Sequence, residues 1–263
     1  MSAKDPPQIL FFDVLGTVVE WRHSIAKELS KAAQAVMQDT ERDVNFETRD
    51  YVSSLTMTDW LSLAEEWHRS YMEFGNNFNP SGSFISVDEH NYTSLEAILT
   101  KRDLHTLFSK DTLAKLALTW HRLDPWPDAV AGLHLLNGLF TTSTLSNGNI
   151  SLLKDLQAHG ALPFTHITSA EHFGAYKPSP EVYRGAAKKF GLETSQCDLV
   201  AAHLEDLQAA KGCGFQTIYV EREMEEAWSS AEALQAKKSG FVDVWVEDTG
   251  NGLMEVARIF GIE

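Results

Sequence analysis

From Gln8 the chain reads "QILFFD", an apolar and aromatic run that ends on one carboxylate, Asp13, and is broken at Gly16. A short, wholly apolar run bounded by a breaker is the pattern of a buried strand. From Arg22 the period changes, and Ile25, Leu29, Ala33 and Val36 recur on one face of a helix. Further helical stretches are predicted at 47–74, 93–108 and 110–121, with no strand among them. The segment "FGNNFNPSGSF" at 74–84, rich in Asn, Gly, Ser and Pro, reads as a loop. After "LDPWPD" at 123–128 strands and helices alternate. "LFTTSTLS" is a strand followed by a helix from near Asn149. "THITS" is a short strand, and the helix at 180–190 places Tyr183, Ala186, Ala187 and Phe190 on one face. "DLVAA" is a strand followed by a helix from Glu205, "QTIYV" and "VDVWV" are two more strands, and "GLMEVARIF" closes the chain as a helix.

Such alternation predicts a parallel sheet with helices on both faces. The expected fold is therefore α/β: a doubly wound, Rossmann-like parallel sheet core formed by 1–17 and 124–263, with an all-helical domain at 18–123 inserted after the first strand. A chain of 263 residues can bury a core of that size together with a smaller domain.

Charge narrows the partners. A formal net charge of −15 argues against nucleic acid and against anionic membrane surfaces, which both need clustered Lys and Arg. The start, "MSAKDPPQ", lacks the apolar stretch of a secretory signal, and no apolar run approaches the ~18 residues of a membrane span. Cys197 and Cys213 are the only cysteines, which suits a reduced compartment and a cytoplasmic protein.

In an open parallel sheet, ligands bind beyond the carboxyl ends of the strands. Four predicted ends carry polar residues: Asp13, Ser146-Asn147, Lys177, and His203 to Asp206. Singly, an Asp after a strand is most often a turn or cap residue and a loop Lys a solvated charge. Four in consecutive exits of one sheet point to chemistry. Asp13 is a candidate nucleophile that forms an enzyme ester later cleaved by water. Lys177 would hold it ionised, Thr17 and Ser146 would orient it by hydrogen bonds, and Gly16 would permit the turn that aims it. The amides beside Val14 and Leu15 are placed to receive an anionic group.

These residues carry a resemblance. "FDVLGTVVEWR", "LSNGN" at 145–149, "AYKPSPEVY" at 175–183 and "VAAHLEDLQAAKGCGFQTIYV" at 200–220 resemble, in order, the four motifs of the haloacid dehalogenase superfamily, in its 2-haloacid dehalogenase (type II) branch. "WHRLDPWPD" at 120–128 is typical of one subgroup. Phosphatases of that superfamily carry an acid two residues after the nucleophile and bind Mg²⁺ with carboxylates of the fourth motif. Here those positions are Leu15 and Ala202, and only Asp206 remains of the fourth-motif pair. Such a site suits Mg²⁺ poorly, and a phosphatase without its general acid loses on the order of 10²–10⁴ in rate. A halide leaves without a proton, so displacement at carbon does not need that acid.

The resemblance thus implies a metal-independent hydrolase without a cofactor, acting on a small 2-halocarboxylate. Asp13 would attack C2, and water would then hydrolyse the ester. Asp206 would orient or deprotonate that water, Ser146 would bind the substrate carboxylate, and Asn147 would line the halide side. It also implies a helical cap over the site and a homodimer. The family's cap Arg, which faces the halide, falls on His68, with Arg69 beside it; neighbours on a helix point about 100° apart. Leu15 replaces the usual aromatic residue, and Ala201 and His203 stand where dehalogenases often carry Ser and Asn. These departures keep two alternatives open: a bulkier or non-halogenated carboxylate substrate, or a binding protein of this fold, disfavoured because Asp13, Lys177, Ser146 and Asp206 are all present. His203, at a strand exit near Asp206, reads either as a base or as a supporting donor. Arg22 reads as a hinge or structural salt bridge, ahead of a substrate contact, Trp60, Trp67 and Tyr51 as core or dimer filling, and "EREMEEAW" at 221–228 as a solvated helix face.

Overall fold

The computed structural model describes residues 6–78 and 85–262, and the chain divides into two compact units. The described residues up to Glu20 and from Asp124 onward form the first, and those from Trp21 to Leu123 the second. The first holds a five-stranded sheet in the order β4-β1-β5-β6-β7, formed by Thr141–Thr144, Ile9–Phe12, Cys197–Ala201, Gln216–Val220 and Val244–Val246. Every pairing in it is parallel, with Phe12 opposite Thr144 on one side and Val200 on the other. Helices α6 (Ala129–Leu136), α7 (Ile150–His159), α8 (Pro180–Lys189), α9 (Leu204–Gly212), α10 (Ser230–Ser239) and α11 (Gly252–Ile259) complete this unit.

β1 is buried throughout because a central parallel strand is covered on both faces. Its adjacent aromatic residues point to opposite faces: Phe11 packs on Phe190 and Phe215, with ring centroids 5.6 and 5.9 Å away, and Phe12 on Phe164 at 5.6 Å. The segment "THITS", expected as a strand, forms only isolated bridges, Ser143 with His166 and Ser146 with Ser169. Its hydroxyls explain this: Thr165 and Thr168 bond to Thr142, Ser143 and Thr144, replacing a continued ladder.

The turn after β1 is clamped from afar. A two-stranded ribbon pairs β2 (Val19–Glu20) with β3 (Asp124–Pro125). Trp126 Nε1 donates to the Gly16 carbonyl at 2.9 Å. Arg222 Nε donates to the Thr17 carbonyl at 3.0 Å, while its two terminal nitrogens grip Asp128 at 2.6 and 2.9 Å. Asp128 also accepts from the Leu253 amide at 2.6 Å, so this buried pair ties the turn to α11.

The second unit contains α1 (Arg22–Gln38), α2 (Phe46–Ser54), α3 (Met57–Asn76), α4 (Val87–Lys101) and α5 (Lys110–Ala117). Ile25, Leu29, Ala33 and Val36 of α1 are all buried. The single helix expected at 47–74 is interrupted before Thr56, whose amide and hydroxyl both bond to Asp59 Oδ2, at 2.7 and 2.6 Å, to cap α3. α3 continues to Asn76, past the expected start of the 74–84 loop, and 79–84 lie outside the described residues. The helix expected at 93–108 instead starts after Ser86, which accepts from the Glu89 amide, and ends at Lys101. Trp60 and Trp67 are buried, whereas Tyr51 is exposed. Arg22 pairs with Glu65 at 3.2 Å. Among the described residues no helix is long and apolar enough to cross a membrane.

Candidate active site

Parallel strands deliver their carboxyl ends to one edge of the sheet, and Asp13 stands at the exit of β1 with its amide on the Val200 carbonyl. Gly16 takes φ +78°, and the turn it makes returns the chain so that Thr17 Oγ1 donates to Asp13 Oδ2 at 2.7 Å. That hydroxyl in turn accepts from the Ala202 amide at 2.9 Å, which fixes its direction. Lys177 Nζ donates to Asp13 Oδ1 at 2.8 Å and to Asp206 Oδ2 at 2.6 Å. His203 Nδ1 lies 3.1 Å from Asp13 Oδ2. Asp206, in the first turn of α9, also accepts from the Tyr183 hydroxyl at 2.5 Å.

The structure thus joins Asp13, Thr17, Lys177, His203 and Asp206 in one network, buried except for a partly exposed His203. Asn147 belongs to it indirectly: its side chain accepts from the Lys177 amide at 2.7 Å and donates to the Lys177 carbonyl at 3.1 Å, holding the loop that carries the ammonium. Ser146 is buried at the end of β4, its hydroxyl accepting from the Gly148 amide at 3.2 Å. Val14 and Leu15 are buried in the turn after Asp13. His68 and Arg69 belong to α3 of the helical unit, where His68 stacks on Trp21 with ring centroids 4.0 Å apart and Arg69 is exposed.

Two members escaped the sequence reading. Tyr183 repeats with Ala186, Ala187 and Phe190 on an apolar helix face, and its ring packs there against Phe215, but its hydroxyl reaches Asp206. Glu225 lay in the run expected to be a solvated helix. Residues 221–228 form no helix; Arg222 and Glu225 are buried, and Glu226 accepts from the Leu204 amide at 2.9 Å to cap α9. The exposed residues between them give the run its charged look, so sequence pattern alone carries no signal for the inward ones.

Charge sets the protonation states. Burial works to raise the Asp13 carboxyl, but Lys177 and His203 outweigh it and hold Asp13 far below the usual carboxylate range. Burial raises Asp206 above its ordinary value, only partly countered by Lys177. Lys177 is depressed by burial, yet the two carboxylates raise it overall. For His203 burial acts downward, and the contacts with Asp13 and Glu225 override it, pushing the imidazole up to about 10. A group whose folded pKa is raised stabilises most below its unfolded value and loses that contribution as pH climbs through the folded one. The stability margin of wild type over His203→Asn should therefore be largest near pH 6.5 and shrink on approach to about pH 10. Urea midpoints across that range would measure it; a constant margin would mean a neutral ring at His203.

The donor set does not fit Mg²⁺. The Lys177 ammonium bridges Asp13 and Asp206, and among the described residues no group of three His, Cys, Asp or Glu side chains is arranged to hold a metal ion. What the arrangement offers is an ionised, oriented carboxylate with donors on both oxygens and a second carboxylate of raised pKa nearby.

A family model described as haloacid dehalogenase-like hydrolase matches residues 7–214. The (S)-2-haloacid dehalogenase 1 of Pseudomonas sp. (strain CBS-3) is 28% identical over 163 residues, which are 61% of this chain and 71% of that protein. The crystal structure of a defluorinating L-2-haloacid dehalogenase superposes with a TM-score of 0.77 at 26% identity, covering 96% of this chain and 94% of the other. A second L-2-haloacid dehalogenase structure gives 0.73 at 28% identity, covering 97% and 99%.

Proposed function

This chain belongs to the haloacid dehalogenase-like hydrolases, and from that premise we propose that it hydrolyses the carbon–halogen bond of small 2-haloalkanoic acids through an ester on Asp13, without a metal, in the cytoplasm. The carrying observation is the state of Asp13: a buried carboxylate kept ionised by Lys177, with Leu15 where a phosphatase would need its acid.

An Asp13 oxygen attacks C2 with a lone pair as the carbon–halogen bond breaks, and the halide departs with that bond's electrons. Ser146 and the amides of Val14 and Leu15 bind the substrate carboxylate, while Asn147 keeps Lys177 in place. Water then adds to the Asp13 carbonyl carbon and gives a proton to Asp206, whose raised pKa suits a base. The tetrahedral adduct collapses, the product oxygen leaves with a proton, and the Asp13 carboxylate returns. Each turnover consumes one water and releases one halide, one proton and a 2-hydroxy acid.

A single turnover in H₂¹⁸O with excess enzyme over 2-chloropropionate tests the covalent route. The product should be unlabelled and the label should appear on Asp13, because the product oxygen comes from the carboxylate. Label in the product of the first turnover would mean direct attack by water. Absence of halide from every haloacid tried would remove the substrate assignment. A chromogenic phosphate ester with Mg²⁺ should give no turnover above background.

A further inference from the structure

Segment 221–228 delivers a carboxylate to the nucleophile's surroundings that the proposed reaction has not used. Met224 adopts φ 59°, a left-handed backbone uncommon for a residue with a Cβ, and its side chain is 65% exposed. The turn, closed by the Glu225 amide donating to the Arg222 carbonyl at 3.3 Å, sends Glu225 inward until its side chain is 1% exposed. There the carboxylate lies on the backbone of the nucleophile turn. A Cβ at Gly16 would meet Glu225 Oε2 at 2.2 Å, Glu225 Cδ at 2.8 Å and His203 Cε1 at 3.2 Å. Glycine at position 16 therefore supplies room for Glu225 as well as the positive φ.

Glu225 Oε2 stands 3.6 Å from His203 Nε2, an ion-pair distance longer than a hydrogen bond, and Nε2 is buried without a hydrogen-bond partner. The ring's other nitrogen is on Asp13 Oδ2 at 3.1 Å. His203 is thus held between two carboxylates, one of which is the nucleophile.

Building on the dehalogenase reading, we propose that Glu225 is a positioning residue: it fixes the His203 ring with Nδ1–H on Asp13 Oδ2, so that this oxygen's negative charge is stabilised when water adds to the Asp13 ester. The two Asp13 oxygens differ in their partners. Among the described residues, Oδ2 receives both Thr17 and His203, whereas Oδ1 receives Lys177 alone. Alkylation through Oδ1 leaves Oδ2 as the ester carbonyl oxygen. When water adds to the carbonyl carbon, the C=O electron pair moves onto Oδ2, where two donors are already aimed. Collapse returns that pair, breaks the bond from the carbonyl carbon to Oδ1, and Oδ1 departs with the product. Alkylation also removes the negative charge of Asp13 itself. Through the second half of the cycle Glu225 is then the carboxylate that keeps the His203 ring charged and in place.

The test uses Glu225→Gln, a neutral isostere, and Glu225→Asp, beside wild type. In rapid-quench runs with 2-bromopropionate, Glu225→Gln should keep its initial burst of one halide per site. Steady-state kcat should fall about 10- to 100-fold, as for carboxylates that orient metal-bound histidines, without a rise in KM. Mass spectrometry of the Asp13 peptide should find the ester accumulating. Glu225→Asp should rescue part of the loss. Nitrogen-15 NMR of the His203 ring, identified with His203→Asn, provides a readout independent of turnover: across a pH titration the ring should give up its second proton at lower pH in Glu225→Gln than in wild type, with Asp13 alone left to hold its charge. Burst and steady state falling together, or ring signals unchanged in Glu225→Gln, would overturn the assignment. If wild type released no halide, the dehalogenase reading would fall, and the ring signals would still decide whether Glu225 governs His203.

Discussion

Asp13→Asn should lower halide release from 2-haloacids by on the order of 10⁴–10⁶-fold, the scale at which an enzyme loses its covalent nucleophile. Asparagine keeps the shape of the side chain; its one amide oxygen can accept from Lys177, and its NH₂ then faces Thr17, whose hydroxyl can accept as well as donate, so the site should survive. What it lacks is the carboxylate lone pair that forms the ester, since an amide oxygen is a poor nucleophile at an alkyl carbon. Folding should change little, because Lys177 retains Asp206 at 2.6 Å. Ion chromatography of halide, with circular dichroism as the control for folding, measures the effect. A folded variant retaining even a few per cent of wild-type release would transfer the nucleophile's role to water or to another residue.

Lys177→Met should affect both folding and rate. The ammonium is 8% exposed and bridges two buried carboxylates at 2.8 and 2.6 Å. Removing the shared cation leaves Asp13 with His203 alone and Asp206 with no cation, a loss of about 3–5 kcal/mol when a buried pair is broken from one side. The carboxylates then respond by sharing a proton. This reverses a sign. In wild type the lowered pKa of Asp13 gives stability that is present above the unfolded value of 3.8 and is lost as pH falls through the folded one. In Lys177→Met a raised carboxyl pKa would make the protein more stable as pH drops from neutral toward that value. Denaturant midpoints should therefore rise on mild acidification in the variant alone. Adding Asp206→Asn should recover part of the lost stability, because one of the two charges is then gone. Turnover should fall by about 10²–10³-fold, as when a preorganised charge is withdrawn from a reacting group. A variant as stable as wild type at neutral pH would mean that water reaches these carboxylates and screens them.

Periodicity exposed the architecture because each element states its environment locally. Ile25, Leu29, Ala33 and Val36 repeat at helical spacing and are buried together. "QILFFD" is apolar at every position because both faces of β1 are covered. "THITS" misled for a related reason: its alternation suits a strand, but threonine and serine hydroxyls competing for the neighbouring strand's backbone decide the pairing, and spacing does not encode that. The break before Thr56 shows the same limit, since a capping residue can interrupt an otherwise continuous helical period.

The sequence by itself determined the alternating α/β layout, the helical insertion, the lone Asp13 with Leu15 behind it, and the polar residues at three strand exits, whereas Lys177 follows a segment that stays outside the sheet. All of these are local: a run, a period, or a residue type next to a breaker. Tertiary structure alone decided how they engage. Lys177 meets Asp13 across 164 positions, His203 across 190, and Arg222 reaches Thr17 across 205. It also turned Glu225 and Arg222 inward from a run that looks solvated, and drew the Tyr183 hydroxyl out of an apolar face onto Asp206. Burial and ion pairing depend on what the rest of the chain brings within a few ångströms, and that proximity is a property of the folded sheet edge, which no stretch of sequence contains.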